Sequence, residues 1–140
     1  MIILGISCFY HDSAACILKD GKIIAAAAEE RFTRKKHDNG FPKQAIEFCL
    51  NSLRIAMNEI DIVVFYEKPI IKFERILHQH LQHFPLSRKV FVESMASWLT
   101  EKLQVKKLLK DECHYHGKVQ FIPHHLSHAA SSYYFSGFKK

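Results

Sequence analysis

The chain has 140 residues, 48% of them hydrophobic, which suits one globular domain or one lobe of a larger protein. Its longest wholly apolar run, residues 23–28, is far shorter than the roughly 20 residues that a transmembrane helix needs. No Lys or Arg precedes the apolar N-terminal stretch, so the charged region of a signal peptide is missing. We therefore expect a soluble cytoplasmic protein with no membrane partner.

The cysteines and the net charge indicate the redox state of the protein and the kind of ligand it binds. The four cysteines lie far apart without a C-x-x-C pair, so we expect reduced, mostly buried thiols rather than a disulfide framework. Twenty Lys and Arg against 14 Asp and Glu give a net charge of +6, and ten histidines accompany them. Positive charge attracts phosphate-bearing partners. Because the basic residues are dispersed except in residues 31–37 and 102–110, a small anionic ligand is favoured over nucleic acid.

The N-terminal part of the chain is predicted to form three antiparallel strands, followed by a loop. The strands cover residues 2–7, 14–18 and 22–29. Asp20 and Gly21 separate the second strand from the third, and this dipeptide is typical of a two-residue hairpin turn because both residues tolerate positive φ. Residues 30–41 are polar and basic, and they are predicted to be an exposed loop.

The rest of the chain alternates helices and strands. Pro42 suits the first turn of a helix, and the apolar spacing predicts an amphipathic helix over residues 43–55. Further helices are predicted over residues 71–84, 90–109 and 124–135, and further strands over residues 62–66 and 119–122. The order β-β-β-α-β-α-β-α favours an α/β fold with a mixed five-stranded sheet. The ribonuclease-H-like lobe of actin-like ATPases has this order too, an analogy that concerns the fold alone.

The run His-His-Leu-Ser-His at residues 124–128 is the sharpest local signal. His124 and His128 are four residues apart on a predicted helix, so their side chains project from one face. Two imidazoles at this spacing can share an ion of iron, zinc, copper or nickel. The alternative is a polar helix face with solvated histidines. His125 points elsewhere on the helix and is not expected to be a ligand with them.

The turn between the first two strands carries a second candidate site, in the run Cys-Phe-Tyr-His-Asp-Ser-Ala at residues 8–14. His11 could act as a general base, because imidazole titrates near neutral pH. Asp12 could bind a cation or orient a water molecule. The alternative is an ordinary turn closed by a side-chain hydrogen bond from Asp12 or Ser13.

Residues 29–37 form the most basic short segment of the chain. Its cations could clamp a phosphate or a carbamoyl-type anion, although composition alone favours a solvated basic loop. A nucleic-acid interface would need several aromatic side chains, and only Phe32 is near. The candidate anion-binding residues are Arg31, Arg34, Lys35 and Lys36.

Three segments, in this order, carry a resemblance to a known family: ILGISCFYHDSAACILKDGKI, AEERFTRKKHDNGFP and HHLSHAASSYYFSG. Together they resemble the N-terminal region of NodU-type O-carbamoyltransferases. The resemblance is weaker over residues 68–118, which lie between the second and third segments. The resemblance implies an actin-like fold similar to that of the tRNA threonylcarbamoyl-transfer proteins. It also implies a separate C-terminal domain, similar to the YrdC family, that makes carbamoyl adenylate from carbamoyl phosphate and ATP. The N-terminal domain then transfers the carbamoyl group to a hydroxyl of a sugar, antibiotic or other small-molecule acceptor.

The same resemblance implies roles for particular residues. A divalent metal, commonly iron, is held by His124 and His128. His11 is the base for the acceptor hydroxyl, with Asp12 beside it. Contacts to the phosphate of the carbamoyl nucleotide are implied for Arg31, Arg34, Lys35 and Lys36.

The sequence also departs from the family, whose members run to several hundred residues. It lacks the second lobe, the metal-binding Asp of that lobe and the YrdC-like domain. We therefore expect residues 1–140 to be the first lobe of the N-terminal domain and to be inactive alone. The alternative is a non-catalytic module that binds a metal or a nucleotide and is completed by another chain.

Overall fold

A computed structural model describes residues 1–137, except for the side chains at positions 94, 96, 97, 100, 101 and 135, and contains a five-stranded mixed sheet with helices packed on it. The strands are β1 (Ile2–Ser7), β2 (Ala14–Lys19), β3 (Lys22–Ala28), β4 (Ile62–Phe65) and β5 (Lys118–Phe121). The helices are α1 (Glu30–Thr33), α2 (Lys43–Leu53), α3 (Pro69–Gln82), α4 (Arg88–Ser97), α5 (Val105–Cys113) and α6 (His124–Phe135). The prediction of an α/β fold with a mixed five-stranded sheet is confirmed.

The strands lie side by side in the order β3-β2-β1-β4-β5. The first three form an antiparallel meander, whereas β4 is parallel to β1 and β5 is parallel to β4. At the hairpin, Asp20 has φ 50° and Gly21 has φ 78°, as the Asp-Gly turn predicts. The carboxyl ends of β1, β4 and β5 therefore meet at one edge of the sheet.

The hydrophobic core lies between one face of the sheet and the helices α2 and α5. Alternate strand residues point to this face, because side chains of a strand alternate between its two sides. The buried strand residues are Leu4, Ile6, Ala15, Ile17, Val63 and Phe65, and the helices add Ala45, Ile46, Cys49, Val105 and Leu109. The opposite face is an open apolar groove of about 680 Å³, bordered by Ser127 and Ala130 of α6.

Two sequence predictions are wrong in detail. Residues 30–41, predicted as a loop, begin with the short helix α1, because the carbonyl of Glu29 accepts hydrogen bonds from the amides of Phe32 and Thr33, both at 3.0 Å. Residues 90–109, predicted as one helix, form α4, a π-helical turn over Trp98–Lys102 and then α5. The break lets Trp98 pack with its ring 5.9 Å from that of Tyr10 while α5 packs in the core.

The cysteines remain as thiols. None of the four is part of a disulfide, and Cys8 and Cys49 are buried. Burial raises the pKa of the Cys49 thiol to about 11, which keeps it protonated at neutral pH. Within residues 1–137, none of the helices is both long and apolar enough to cross a membrane.

Glu29 joins the end of the meander to the start of α2. It is 3% exposed, and its carboxylate accepts the backbone amides of Gln44 at 3.1 Å and Ala45 at 2.7 Å. Pro42, the residue at the N-cap position of α2, supplies no side-chain hydrogen bond. A carboxylate distant in the sequence thus satisfies the free amides of the first helical turn and complements the helix dipole.

We predict that Glu29→Ala lowers the free energy of unfolding by about 1–3 kcal/mol, because it leaves buried amides without an acceptor. The measurement is equilibrium urea unfolding followed by circular dichroism. Glu74→Ala, at an exposed position of α3, is the control and should unfold like the wild type. Equal unfolding midpoints for the two variants would show that the Glu29 contacts contribute nothing.

Candidate active site

Polar residues gather at the edge of the sheet where the parallel strands end. Residues 8–13 follow β1, Tyr66 and Glu67 follow β4, and two residues separate β5 from the start of α6. Ligands of α/β sheets bind preferentially beyond the carboxyl ends of the strands. This edge is therefore the candidate active site, and it contains residues from two of the three sequence segments singled out above.

The histidine pair lies at the start of α6. The Nε2 atoms of His124 and His128 are 3.0 Å apart, so both imidazoles lie on one side of the helix. The hydroxyl of Ser127 donates a hydrogen bond to the carbonyl of Tyr66 at 2.9 Å, which ties the first turn of α6 to the end of β4. His125 is exposed and its ring lies 5.9 Å from that of His124.

The separation of the two Nε2 atoms fits a shared metal ion. Two nitrogens that each lie about 2.1 Å from one ion are about 3.0 Å apart when the angle between them is about 90°. A direct hydrogen bond between the imidazoles is equally compatible with 3.0 Å. Among the side chains that the structure describes, no three His, Cys, Asp or Glu residues are grouped so that they could hold a metal ion. The two imidazoles are therefore a candidate for part of a metal site only.

Glu67 is a residue of this edge that the sequence analysis missed. Its side chain is 9% exposed, and its Oε2 atom lies 3.5 Å from Nδ1 of His124 and 3.3 Å from Nζ of Lys72. Its Oε1 atom accepts the amide of Lys68 at 3.0 Å. A carboxylate directly after a central parallel strand is a signal that could have identified it.

Burial and charge act in opposite directions on His124. Burial lowers the pKa of its imidazole, the charge of Glu67 raises it, and the neighbouring cations and histidines lower it again. The net effect is a lowered pKa, so the neutral form is favoured at neutral pH. Neutral imidazole is the form that binds a metal ion.

Two tyrosines connect the histidine pair to the turn after β1. The ring of Tyr66 lies 5.6 Å from that of His124 and 6.2 Å from that of Tyr10, and Nζ of Lys72 lies 3.8 Å from the Tyr10 ring centroid. Burial raises the pKa of both phenols, so both stay protonated at neutral pH. Both hydroxyls are buried and find no hydrogen-bond partner among the described side chains. A buried hydroxyl without a partner is uncommon, and these two lie beside the histidine pair.

The turn itself presents His11 and Asp12 to solvent, since both side chains are exposed. Oδ1 of Asp12 lies 3.1 Å from Nδ1 of His37. His37 belongs to the basic loop, residues 30–41, and the sequence analysis did not name it as a candidate site residue. This ion pair is a contact between the first and second of the sequence segments that carry the resemblance.

Backbone hydrogen bonds hold the basic loop against the turn. The amide of Phe9 donates to the carbonyl of Asn39 at 2.8 Å, and the amide of Ser13 donates to that of Asp38 at 2.7 Å. The hydroxyl of Ser13 donates to the carbonyl of Gly40. Phe9 has φ 74°, a strained conformation for a bulky residue, and such strain often accompanies functional sites.

The four candidate anion-binding side chains all lie on the surface. Among the described side chains, none of them lies within ion-pair distance of a carboxylate, and none is brought into contact with the histidine pair. They are Arg31, Arg34, Lys35 and Lys36.

The fold and this edge define an α/β domain with a candidate site beyond its parallel strands. The chain belongs to the family described as carbamoyltransferase N-terminus, which matches residues 2–140. An uncharacterised protein of Synechocystis is 49% identical to it, over 97% of this chain and 23% of its own length. The nodulation protein NolNO of Sinorhizobium fredii is 33% identical, over 94% of this chain and 18% of its own length. The chain thus spans about a fifth of the length of each of these two curated relatives.

We predict that Asp12→Asn changes the free energy of unfolding by less than about 1 kcal/mol, because an ion pair between exposed side chains is weakened by solvent and salt. Urea unfolding of the variant beside Asp111→Asn, an exposed position of α5, measures this difference. A loss well above that size would assign Asp12 a structural role in the turn.

Proposed function

We propose that the chain is the first lobe of the N-terminal domain of an O-carbamoyltransferase. The whole protein moves a carbamoyl group from carbamoyl phosphate, through carbamoyl adenylate, to a hydroxyl of a sugar, antibiotic or other secondary metabolite. One observation carries the proposal: in a chain that matches the carbamoyltransferase N-terminus over residues 2–140, the turn after β1 and the histidine pair of α6 meet at one sheet edge.

The proposed lobe is ribonuclease-H-like, as in actin-like ATPases. An antiparallel meander followed by two parallel strands, in the order β3-β2-β1-β4-β5, supports this assignment. The second lobe and the YrdC-like domain are the proposed partners. The chain covers 23% and 18% of two relatives, which leaves room for both in proteins of that length.

In the proposed reaction, the acceptor hydroxyl attacks the carbamoyl carbon of carbamoyl adenylate. His11 takes the hydroxyl proton as the new C–O bond forms, and Asp12 lies beside it in the turn. The bond between the carbamoyl carbon and the phosphate oxygen breaks, and AMP leaves. Negative charge then grows on the departing phosphate, where the cations of the basic loop stabilise it. These cations are Arg31, Arg34, Lys35 and Lys36.

His124 and His128 are the proposed ligands of a divalent metal, iron in our proposal. The distance of 3.0 Å between their Nε2 atoms and the lowered pKa of His124 support this role. When bound, such an ion supplies a Lewis acid that polarises the carbamoyl carbonyl. The two histidines would hold it at the edge of the sheet where the buried hydroxyls of Tyr10 and Tyr66 also lie.

The proposed location is the cytoplasm and the proposed acceptor is a small molecule. Four cysteines without a disulfide between them support a reducing compartment. A small acceptor is favoured over nucleic acid because the basic segment of residues 31–37 contains one aromatic side chain, Phe32.

We predict that the purified chain binds Fe²⁺ under anaerobic conditions and that replacing His124 and His128 together by Ala weakens binding at least about tenfold, because both ligand nitrogens are lost. Isothermal titration calorimetry measures the affinity. His125→Ala is the matched control on the same helix turn and should bind like the wild type. Unchanged affinity in the double variant would remove the metal assignment.

We also predict that the 140-residue chain alone forms no carbamoylated product from carbamoyl phosphate, ATP and a sugar acceptor. The reason is that its described residues provide only two metal ligands and that the adenylate-forming domain is a separate unit. Mass spectrometry of the acceptor checks this, and a carbamoylated product would contradict it.

The two metal ligands of the described residues also favour the alternative, a non-catalytic metal- or nucleotide-binding module completed by another chain. Adding a protein that carries the second lobe and the YrdC-like domain separates the two. Transfer in the mixture supports the carbamoyltransferase, whereas thermal protection by a nucleotide without transfer favours the module.

A further inference from the structure

Glu67 faces the side of His124 that is remote from His128. Its Oε2 atom lies 3.5 Å from Nδ1 of His124, whereas Nε2 of the same ring lies 3.0 Å from Nε2 of His128. The two ring nitrogens of His124 thus face different neighbours, a carboxylate on one side and an imidazole on the other. This contact joins the end of β4 to the start of α6.

The position of the single hydrogen on a neutral imidazole decides which nitrogen can bind a metal. Nε2 can accept a metal ion only if the hydrogen is on Nδ1, and the hydrogen bond made by one nitrogen sets the state of the other. Nδ1 of His124 is buried and has no partner of hydrogen-bond geometry among the described side chains. A buried N–H without an acceptor is costly. The Oε2 atom of Glu67 lies 3.5 Å from this nitrogen, at ion-pair distance, and is the carboxylate oxygen that the structure places beside it.

We propose that Glu67 is a positioning residue that holds His124 as the Nδ1–H tautomer and directs its Nε2 lone pair toward the site shared with His128. The inference rests on the proposed function where it concerns the metal ion, and on the structure alone where it concerns the tautomer. Metal-binding histidines commonly donate their second N–H to a carboxylate, which fixes the ring and makes it a stronger ligand.

Lys72 lowers the free-energy cost of burying the Glu67 carboxylate. Its Nζ atom lies 3.3 Å from the same Oε2 atom of Glu67, and Oε1 accepts the amide of Lys68. A buried carboxylate is tolerated when it is paired and hydrogen-bonded. These two partners stabilise the buried carboxylate, and the Oε2 atom remains 3.5 Å from Nδ1 of His124.

The first test reads the tautomer in the metal-free chain by two-bond ¹⁵N–¹H NMR correlation of the histidine rings. The wild type should show His124 with its hydrogen on Nδ1. Glu67→Met and Glu67→Ala remove the acceptor, and the Nε2–H form of His124 should then appear. Glu67→Gln keeps an acceptor oxygen and should restore the wild-type tautomer, and Glu74→Ala is the control. Glu67→Met preserves the volume of the side chain, so the test does not depend on Glu67→Ala folding.

The second test measures Fe²⁺ affinity of the same variants. Loss of the carboxylate should weaken binding about 10- to 100-fold, and Glu67→Gln should weaken it less. An Nε2–H wild-type ring, or folded Glu67→Met with unchanged tautomer, would overturn the proposal. If the tautomer depends on Glu67 but Fe²⁺ binding does not depend on His124 and His128, the positioning role stands and the proposed metal site is wrong.

Discussion

The parallel pairing of β4 with both β1 and β5 is the constraint on which the candidate site depends. Val64 of β4 pairs with Gly5 of β1 and with Gln120 of β5, and all three strands run in one direction. The segments that follow them must therefore emerge at the same edge. A slip of one residue would turn the side chains of β4 to the opposite face. The burial of Val63 and Phe65 on one face opposes such a slip and so protects the site.

Two buried carboxylates, Glu29 and Glu67, follow strands of the sheet and have different kinds of hydrogen-bond and ion-pair partner. Glu29 is satisfied by two amides of α2, both fixed backbone donors. Glu67 shares one oxygen between Lys72 and the ring of His124, which are side chains that can rearrange. The first arrangement fixes a helix to the end of a strand, whereas the second places a carboxylate beside a side-chain imidazole. Two carboxylates of similar burial thus differ in the kind of partner that each one has.

Local patterns were sufficient to predict some of these features from the sequence. The Asp20–Gly21 turn and the spacing of His124 and His128 depend on neighbouring residues, and the structure has the hairpin and a helix at those places. Glu67 was missed because its contact with His124 joins residues far apart in the sequence. The division of residues 90–109 was missed for the same reason, since it accompanies the packing of Trp98 against Tyr10.

The basic loop and the histidine pair differ in exposure, and this difference suits different tasks. Exposed charges such as those of Arg34 and Lys36 act over a distance limited by salt and attract an anion without fixing its orientation. The half-buried His124, with a carboxylate on one nitrogen and an imidazole on the other, is directional. The turn of residues 8–13 lies between the two regions. Asp12 contacts His37 of the basic loop, and Tyr10 packs against Tyr66, which borders the histidine pair. The backbone amides of Phe9 and Ser13 donate to the carbonyls of Asn39 and Asp38, so the turn is fixed against the basic loop by main-chain hydrogen bonds as well.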